Sequence, residues 1–321
     1  MGSKPGKASK ATVPPKIKAL RQKGHDQFNA RNNQEARSYY IQALDNIEAL
    51  TYTSQEQDQF RCDVYLDICD TYRGQGSCTK AKEFSEIAQK IADELNDGLR
   101  IAHCLDRQGA IKKLKKNYSG ALIDLKDSLE LKLQMLGDHN LDVATSYYNL
   151  GNIYDSQKKY DHAETMHQKA LDIRLILRGV NHIDVAKSYD RLGNALLRQH
   201  RHGDALLMYQ NALVIRKELY GENHLDVADS YNNIGKAYAN RSMYDQALSM
   251  FENAAAIYQR IQTVDKFRPE VAIVYQNIAN TYEKMDKPAD AVVTRQKMAD
   301  IRENLKAQNH QPQGTVYHPI S

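Results

Sequence analysis

The sequence contains no tryptophan, only seven prolines, and no apolar stretch that approaches the ~20 residues of a bilayer-spanning helix. Its N-terminus also lacks the apolar segment of a secretory signal. With 41% hydrophobic and 26% charged residues over 321 positions, the chain can form a continuous core and has little room for long disordered segments. We therefore expect a soluble, cytoplasmic protein without membrane insertion.

Cysteine is scarce, and its four copies form no Cys-x-x-Cys pair and match no zinc spacing: Cys62, Cys69, Cys78 and Cys104. We expect reduced thiols with structural roles, and neither a metal nor a cofactor. Catalytic signatures are missing too, because the chain has no Gly-rich phosphate loop, no Gly-x-Ser-x-Gly and no His-Glu-x-x-His. The sequence therefore predicts a protein that is not an enzyme.

Repetition is the dominant positive feature. A phrase that starts Asp-Val-Ala, continues through a tyrosine and ends on glycine occupies residues 142–151, 184–193 and 226–235, at a period of 42. A related copy, which ends on Ala279, occupies residues 270–279. A fixed period of this length is typical of a repeat array, in which each repeat covers the apolar face of the next.

Small residues extend this pattern to seven repeats, which we assign to residues 16–306 between a flexible basic tail (1–15) and a C-terminal tail (307–321). In each repeat a first small residue is followed by a second one twelve positions later. The pairs are Gly24/Ala36, Cys69/Ala81, Gly109/Ala121, Gly151/Ala163, Gly193/Ala205, Gly235/Ala247 and Ala279/Ala291. We expect two antiparallel helices per repeat, whose axes come closest at these positions.

The segments between repeats carry helix stop and start signals. Gly137 precedes Asp142, and equivalent glycines precede Asp184 and Asp226. We interpret the glycines as helix ends and the acids, with Glu270, as helix starts. His182 and His224 recur in register, and we expect them to pack or cap these loops rather than to bind a ligand.

This small-residue frame, with its tyrosines, resembles the tetratricopeptide repeat. The long inter-repeat phrase at residues 178–186 and 220–228 is similar to that of kinesin light chains, although the present chain has no preceding heptad coiled coil and no His-Pro in the loop. The resemblance implies an all-α, right-handed α-solenoid of seven helix pairs, with the first helix of each pair on a concave groove. It further implies a protein or a linear peptide motif as the partner.

The resemblance also places the groove residues, at two positions before and one position after the first small residue. They are Asn149, Asn152, Arg191, Asn194, Asn233, Lys236, Asn277 and Asn280. Asparagine is a mediocre helix former, whereas its amide matches both halves of a peptide group. We therefore predict that these residues hold an extended peptide by its backbone. The alternative is that they bridge neighbouring helices or bind tyrosine hydroxyls.

The equivalent positions in the first repeats are different. Asp67 and Asp70, with Asp63 one turn earlier, predict an acidic patch that favours a basic segment. Chaperone-binding arrays need asparagine where Asp67 stands, so a clamp for a partner's C-terminal carboxylate is not expected.

The charge balance indicates no nucleic-acid partner. Residues 1–23 contribute seven positive charges to a net charge of +4, without interleaved aromatics, and we interpret them as a solubilising tail. Two functions stay open: a peptide-binding scaffold or adaptor, and a regulatory array that modulates a signalling protein or enzyme. The second would require an added N-terminal helical bundle. The sequence does not predict the oligomeric state.

Overall fold

The structure, a computed structural model, describes residues 12–50, 54–261 and 269–309, with side chains from residue 270 to residue 303 in the last range. These residues form fourteen helices and no strand. The helices are α1 (Pro15–Asn29), α2 (Asn33–Glu48), α3 (Gln55–Gly74), α4 (Cys78–Glu94), α5 (Gly98–Leu114), α6 (Tyr118–Leu136), α7 (Leu141–Ser156), α8 (Tyr160–Arg178), α9 (Ile183–Arg198), α10 (His202–Tyr220), α11 (Leu225–Asn240), α12 (Tyr244–Ile261), α13 (Pro269–Lys284) and α14 (Pro288–Asn309).

The chain divides into two compact units, Met1–Lys159 and Tyr160–Ser321. In the N-terminal unit α1 packs on α2, α3 on α4 and α5 on α6, and α7 packs on α6. In the C-terminal unit α8 packs on α9, and the pairs α9/α10, α11/α12 and α13/α14 follow. The expected all-α repeat solenoid is therefore confirmed. The packed chain starts before residue 16, because Val13 is buried and its N–H donates to Glu56. The greater part of both predicted tails, residues 1–11 and 310–321, lies outside the described residues.

The small-residue positions are buried, and the structure shows why a larger residue would not fit there. A large side chain from the second helix of the same pair covers the glycine. A Cβ atom on Gly193 would lie 2.7 Å from the ring of Tyr209, and one on Gly235 would lie 2.6 Å from the ring of Phe251. Both rings are almost fully buried and cannot move aside. The close approach of the two helices therefore depends on glycine here.

Replacing Gly235 by alanine should destabilise the protein by about 1–2 kcal/mol, because overpacking against Phe251 exceeds the gain in helix propensity. Gly203 is a matched control. It also lies in a helix, but nothing comes within 4 Å of a Cβ added there. Gly203→Ala should stabilise by about 0.5–1 kcal/mol. Urea unfolding of the two variants measures both effects, and a stabilised Gly235→Ala protein would contradict the packing argument.

The loops between repeats confirm the helix stops and correct the helix starts. Gly137, Gly179 and Gly221 end their helices with φ near +75°, a conformation that favours glycine. The following helices, however, begin one residue before the recurring acids, and their N-cap residues lie two residues before them. The N-caps are Asn140, His182 and His224, whose side chains accept hydrogen bonds from the backbone N–H of Asp142, Asp184 and Asp226. The acids occupy the first turn, where they face the positive end of the helix dipole. The capping role expected for the two histidines is confirmed.

Buried cations link successive helix pairs, and the sequence analysis missed them. Lys132 is 1% exposed, and its Nζ lies 2.5 Å from Asp106 Oδ2 and 2.9 Å from Ser146 Oγ. Asp106 also accepts a hydrogen bond from Ser128. The ion pair joins α5 to α6, and the hydrogen bond from Lys132 to Ser146 ties this helix pair to α7 of the next.

The hydrogen bond from the cation to the serine recurs 42 and 84 residues later. Arg174 donates to Ser188 Oγ at 2.7 Å, and Arg216 donates to Ser230 Oγ at 2.5 Å. Arg216 also forms an ion pair with Asp190. We call Lys132, Arg174 and Arg216 the buried cations. In each case the cation and the serine are 14 residues apart.

Candidate functional site

The predicted acidic patch of the N-terminal unit is neutralised by cations of the same unit. Arg21 Nε donates to Asp67 Oδ2 at 2.6 Å, and the Nε2 atom of His25 lies 3.0 Å from the same oxygen. Asp63 is paired with Arg100 at 3.0 Å and with Arg21 at 3.4 Å. Burial alone would raise the pKa of Asp67, but the hydrogen bonds from His25 and Arg21 outweigh it and lower that pKa below its ordinary value.

Asp70 completes this network, because Arg107 Nη2 lies 3.1 Å and Arg73 Nη2 3.0 Å from its carboxylate. The prediction that Asp63, Asp67 and Asp70 form an acidic patch for a basic segment is therefore corrected, since all three acids already have cationic partners. The three acids lie on α3, and most of their cationic partners lie on the neighbouring helices α1 and α5. We call this set of ion pairs the α1–α5 network.

Asn149 and Asn152 lie together on α7, as predicted, and both are half-buried. They line a cavity of about 390 Å³ whose other walls come from α3, α5 and α6 of the N-terminal unit. Among the described residues neither side-chain amide has a hydrogen-bond partner. The two asparagines therefore present unused donors and acceptors to this cavity.

Three of the predicted asparagines of the C-terminal unit use only their carbonyl oxygen within the chain. Asn194 Oδ1 accepts from the hydroxyl of Tyr209 at 2.8 Å, Asn233 Oδ1 from Lys236 Nζ at 3.5 Å, and Asn280 Oδ1 from Gln276 at 2.8 Å. Their NH₂ groups have no partner among the described residues. The contact to Tyr209 realises part of the alternative role, yet in all three cases the donor half of the amide stays available.

Asn277 has the opposite orientation. Its Nδ2 donates to Asn232 Oδ1 at 2.8 Å, a bridge between α13 and α11 that the sequence predicted only as the alternative role. The accepting residue, Asn232, is buried and was not predicted. Its spacing of three residues from Gly235 is the same as that of Asp190 from Gly193, which is a recognisable signal for an inward-facing polar group.

Two cations accompany these amides. Arg191 is exposed on α9, and Lys236 is half-buried on α11. Burial lowers the pKa of Lys236, and the nearby Asp229 opposes that effect. Lys236, Asn277 and Asn280 also line a pocket of about 140 Å³ between α11 and α13. We call Arg191, Asn194, Asn233, Lys236, Asn277 and Asn280 the amide face of the C-terminal unit.

The cysteines are all free thiols, and three of them are buried: Cys62, Cys69 and Cys104. Burial raises the pKa of Cys69 to about 12, so its thiol stays protonated at neutral pH. Within the described ranges no group of three or more metal-ligating side chains comes together, and no helix has the length and apolarity needed to span a membrane.

Comparison with known proteins agrees with this architecture. The family model of the tetratricopeptide repeat matches residues 110–176 and 184–260. No curated protein matches the sequence. Among solved structures, the apo form of RapI is 14% identical, with a TM-score of 0.72 over 90% of this chain and 77% of RapI. A Rap protein complexed with competence and sporulation factor is 17% identical, with a TM-score of 0.63 over 91% of this chain and 77% of the Rap protein.

A third structure carries repeats of the kind that the sequence resembles. It contains the nearly identical repeats of a putative kinesin light chain from Podosopora anserina, at 15% identity and a TM-score of 0.56, over 63% of this chain and 97% of the other. At these identities the likeness is one of fold. The tetratricopeptide repeat is generally a non-enzymatic protein-interaction module, which agrees with the half-exposed amides of the first helices. Residues 110–176 and 184–260 thus carry tetratricopeptide repeats, and the long repeats of the chain resemble those of kinesin light chains in fold.

Proposed function

We propose that the protein is a non-enzymatic scaffold or adaptor that binds an extended peptide of a partner protein on the amide face. This proposal rests on the hydrogen bonds of that face, because each amide uses only its oxygen or only its NH₂ group within the chain. Asn194, Asn233 and Asn280 keep a free NH₂ group, whereas Asn277 keeps a free carbonyl oxygen. A peptide backbone offers both an acceptor and a donor at every residue, so the face matches it.

The intramolecular hydrogen bonds also reduce the cost of binding. Two of these amides, Asn194 and Asn277, are each already oriented by a part-buried hydrogen bond of 2.8 Å, to Tyr209 and to Asn232. A side chain that is fixed before the ligand arrives loses less conformational entropy on binding. The face is therefore suited to bind without rearrangement of its own side chains.

The cations indicate the side chains of the ligand. Arg191 and Lys236 lie on α9 and α11, so we expect acidic or hydroxyl-bearing residues in the peptide beside them. A ligand carboxylate near Lys236 would favour the charged form of that amine, which burial disfavours.

The regulatory alternative would require an added N-terminal helical bundle. Helices α1 to α4 form two ordinary pairs, α1/α2 and α3/α4, with Gly24 and Cys69 buried at the small-residue positions, so these four helices belong to the repeat array and not to such a bundle.

Selection of a displayed random peptide library on the full-length protein tests the proposal. For a selected peptide, Asn233→Ala and Asn280→Ala should each weaken binding by about 0.5–1.5 kcal/mol, because each removes one hydrogen bond. Asn253→Ala is the matched control, since Asn253 is exposed on the second helix α12. Calorimetry gives the dissociation constants. Equal affinities of all three variants and the unaltered protein would exclude the amide face as the binding surface.

A further inference from the structure

Two buried cysteines lie together between the second and third helix pairs. Cys62 belongs to α3 and Cys104 to α5, two helices that pack against each other. Both residues are 0% exposed, and they share one apolar cluster with Ala88 and Ala92 of α4. The thiol of Cys62 donates to the backbone carbonyl of Ala88 at 3.3 Å. Three helices of the N-terminal unit therefore enclose both thiols.

The two thiols are also in contact with each other. A hydrogen bond to Cys62, together with burial, raises the pKa of Cys104 above its ordinary value. Since Cys62 uses its own hydrogen for the carbonyl of Ala88, Cys104 is the donor to the Cys62 sulfur. Sulfur atoms at hydrogen-bonding distance need only a small rotation of their side chains to reach the ~2.0 Å of a disulfide bond.

The position of Cys104 in its repeat gives this contact a structural meaning. Cys104 stands one 42-residue period before Ser146, the first of the serines that bind a buried cation. The residue 14 positions before Cys104 is Lys90, whose side chain is 80% exposed and pairs with Glu94 instead. The junction between the second and third helix pairs thus lacks the link from cation to serine that the later junctions have. The thiol pair occupies its place.

We propose that Cys62 and Cys104 are an oxidisable pair, which a peroxide converts into a disulfide that ties α3 to α5. The thiolate of one cysteine attacks a peroxide oxygen and breaks the O–O bond, which leaves a sulfenic acid and a hydroxide. The hydroxide takes up the proton that the first thiol has lost. The second thiol then attacks the sulfenic sulfur, forms the S–S bond and displaces the hydroxyl group as water. The two sulfurs lose two electrons, the peroxide gains them, and two molecules of water result.

Burial sets the conditions under which this reaction occurs. Only a thiolate reacts with a peroxide, and both thiols are protonated donors inside the cluster. Oxidation therefore requires a local opening between α3 and α5, and it is slower than the labelling of Cys78, the one cysteine that is not buried. Once formed, the disulfide holds the two helix pairs together in the unfolded chain as well, so it should stabilise the folded N-terminal unit.

The full-length variant Cys69→Ala/Cys78→Ala tests the proposal, because it retains only the two thiols concerned. Alanine already occupies the position of Cys69 in the last repeat, at Ala279. The folded variant is incubated with hydrogen peroxide, alkylated, digested and analysed by mass spectrometry without reductant. We expect one cross-linked peptide pair that contains residues 62 and 104 and has lost two hydrogens. The melting temperature should rise by about 4–10 °C and should return to its first value with dithiothreitol.

Cys104→Ser in the same background is the matched control, since serine stands at this position in the three following repeats. Peroxide should give it neither a cross-link nor a higher melting temperature. The unaltered protein tests selectivity, because Cys78 packs against a second cluster that contains Cys69. A main product that links residues 62 and 104 supports the proposal, whereas a main product that links residues 69 and 78 contradicts it.

Three further results would overturn the proposal. The first is a thiol pair that stays reduced in the folded protein and forms a disulfide only in urea. The second is a cross-link between two molecules, seen as a dimer on a gel without reductant. The third is an intramolecular disulfide that lowers the melting temperature, which would show that the bond distorts the junction. The amide face lies in the C-terminal unit, so none of these results bears on the peptide selected for it.

Discussion

Replacing Arg216 by methionine should lower the free energy of unfolding by about 3–5 kcal/mol. Arg216 is 6% exposed, forms an ion pair with Asp190 and donates to Ser230. Methionine fills a similar volume but leaves the carboxylate of Asp190 buried without a cation. The loss is therefore electrostatic and differs from the loss caused by a cavity.

A second substitution separates the two causes. Asn at position 190 removes the buried charge, so the double variant Arg216→Met/Asp190→Asn should recover a large part of the lost stability. Arg260→Met is the control, since Arg260 is an exposed arginine of α12 and its loss should change stability by less than about 0.5 kcal/mol. Chemical denaturation of the four proteins measures these differences. If the double variant were no more stable than Arg216→Met, the ion pair would not be the cause.

The pH dependence has a defined sign. Burial raises the pKa of Asp190 even with Arg216 beside it. Without the arginine the carboxyl should take up a proton more readily, because only the charged form is penalised by burial. The stability difference between Arg216→Met and the unaltered protein should therefore shrink as the pH falls towards about 4. A difference that stays constant down to this pH would contradict the assignment.

Asp67→Asn should destabilise the protein by about 2–3 kcal/mol at neutral pH, because it uncouples Arg21 and His25 from α3. The estimate is below that for a fully buried pair, since the side chain of Arg21 is 25% exposed. The pKa of Asp67 is lowered in the folded protein. The stabilisation by Asp67 is thus fully present above its unfolded pKa of about 3.9 and is lost as the pH falls through the lower folded value.

The effect of this substitution should therefore vanish in acid. Unfolding followed at neutral pH and at about pH 2 should show a large difference between the two proteins in the first condition and a small one in the second. The exposed pair Lys82–Glu86 supplies the control, because Glu86→Gln removes a carboxylate whose side chain is 57% exposed. Its effect should be small at both values. An Asp67→Asn protein as stable as the original at neutral pH would show that the α1–α5 network contributes nothing.

The helix pairs could be predicted from the sequence because the packing constraint acts on single positions. Gly193 and Gly235 must be small wherever Tyr209 and Phe251 cover them, so the period is visible without any knowledge of contacts. The acids of α3 could not be interpreted in this way. Their partners Arg21 and Arg100 are 46 and 37 residues away in the chain, and only the packing of α1 and α5 against α3 brings them within reach.

The role of the candidate site stays a prediction. The spacing from the small residue selected Asn233 and Asn280, which the structure places on α11 and α13 with half-buried and exposed side chains. Whether an amide uses its oxygen or its NH₂ depends on a neighbour such as Gln276 or Asn232. These neighbours do not recur from repeat to repeat, so the sequence pattern does not predict them. The buried cations did leave a trace, the 42-residue recurrence of Lys132, Arg174 and Arg216. It was missed because a charged residue on a helix is ordinarily exposed.

The regular placement of the buried cations has a consequence for how the chain could gain or lose repeats. Each cation finds its serine 14 residues further on, in the following pair. Excision of residues 184–225, one whole period, would remove Arg216 together with Asp190 and would bring Ser230 to the place of Ser188 opposite Arg174. Loss or duplication of a whole period therefore keeps each remaining buried cation of this region opposite a serine.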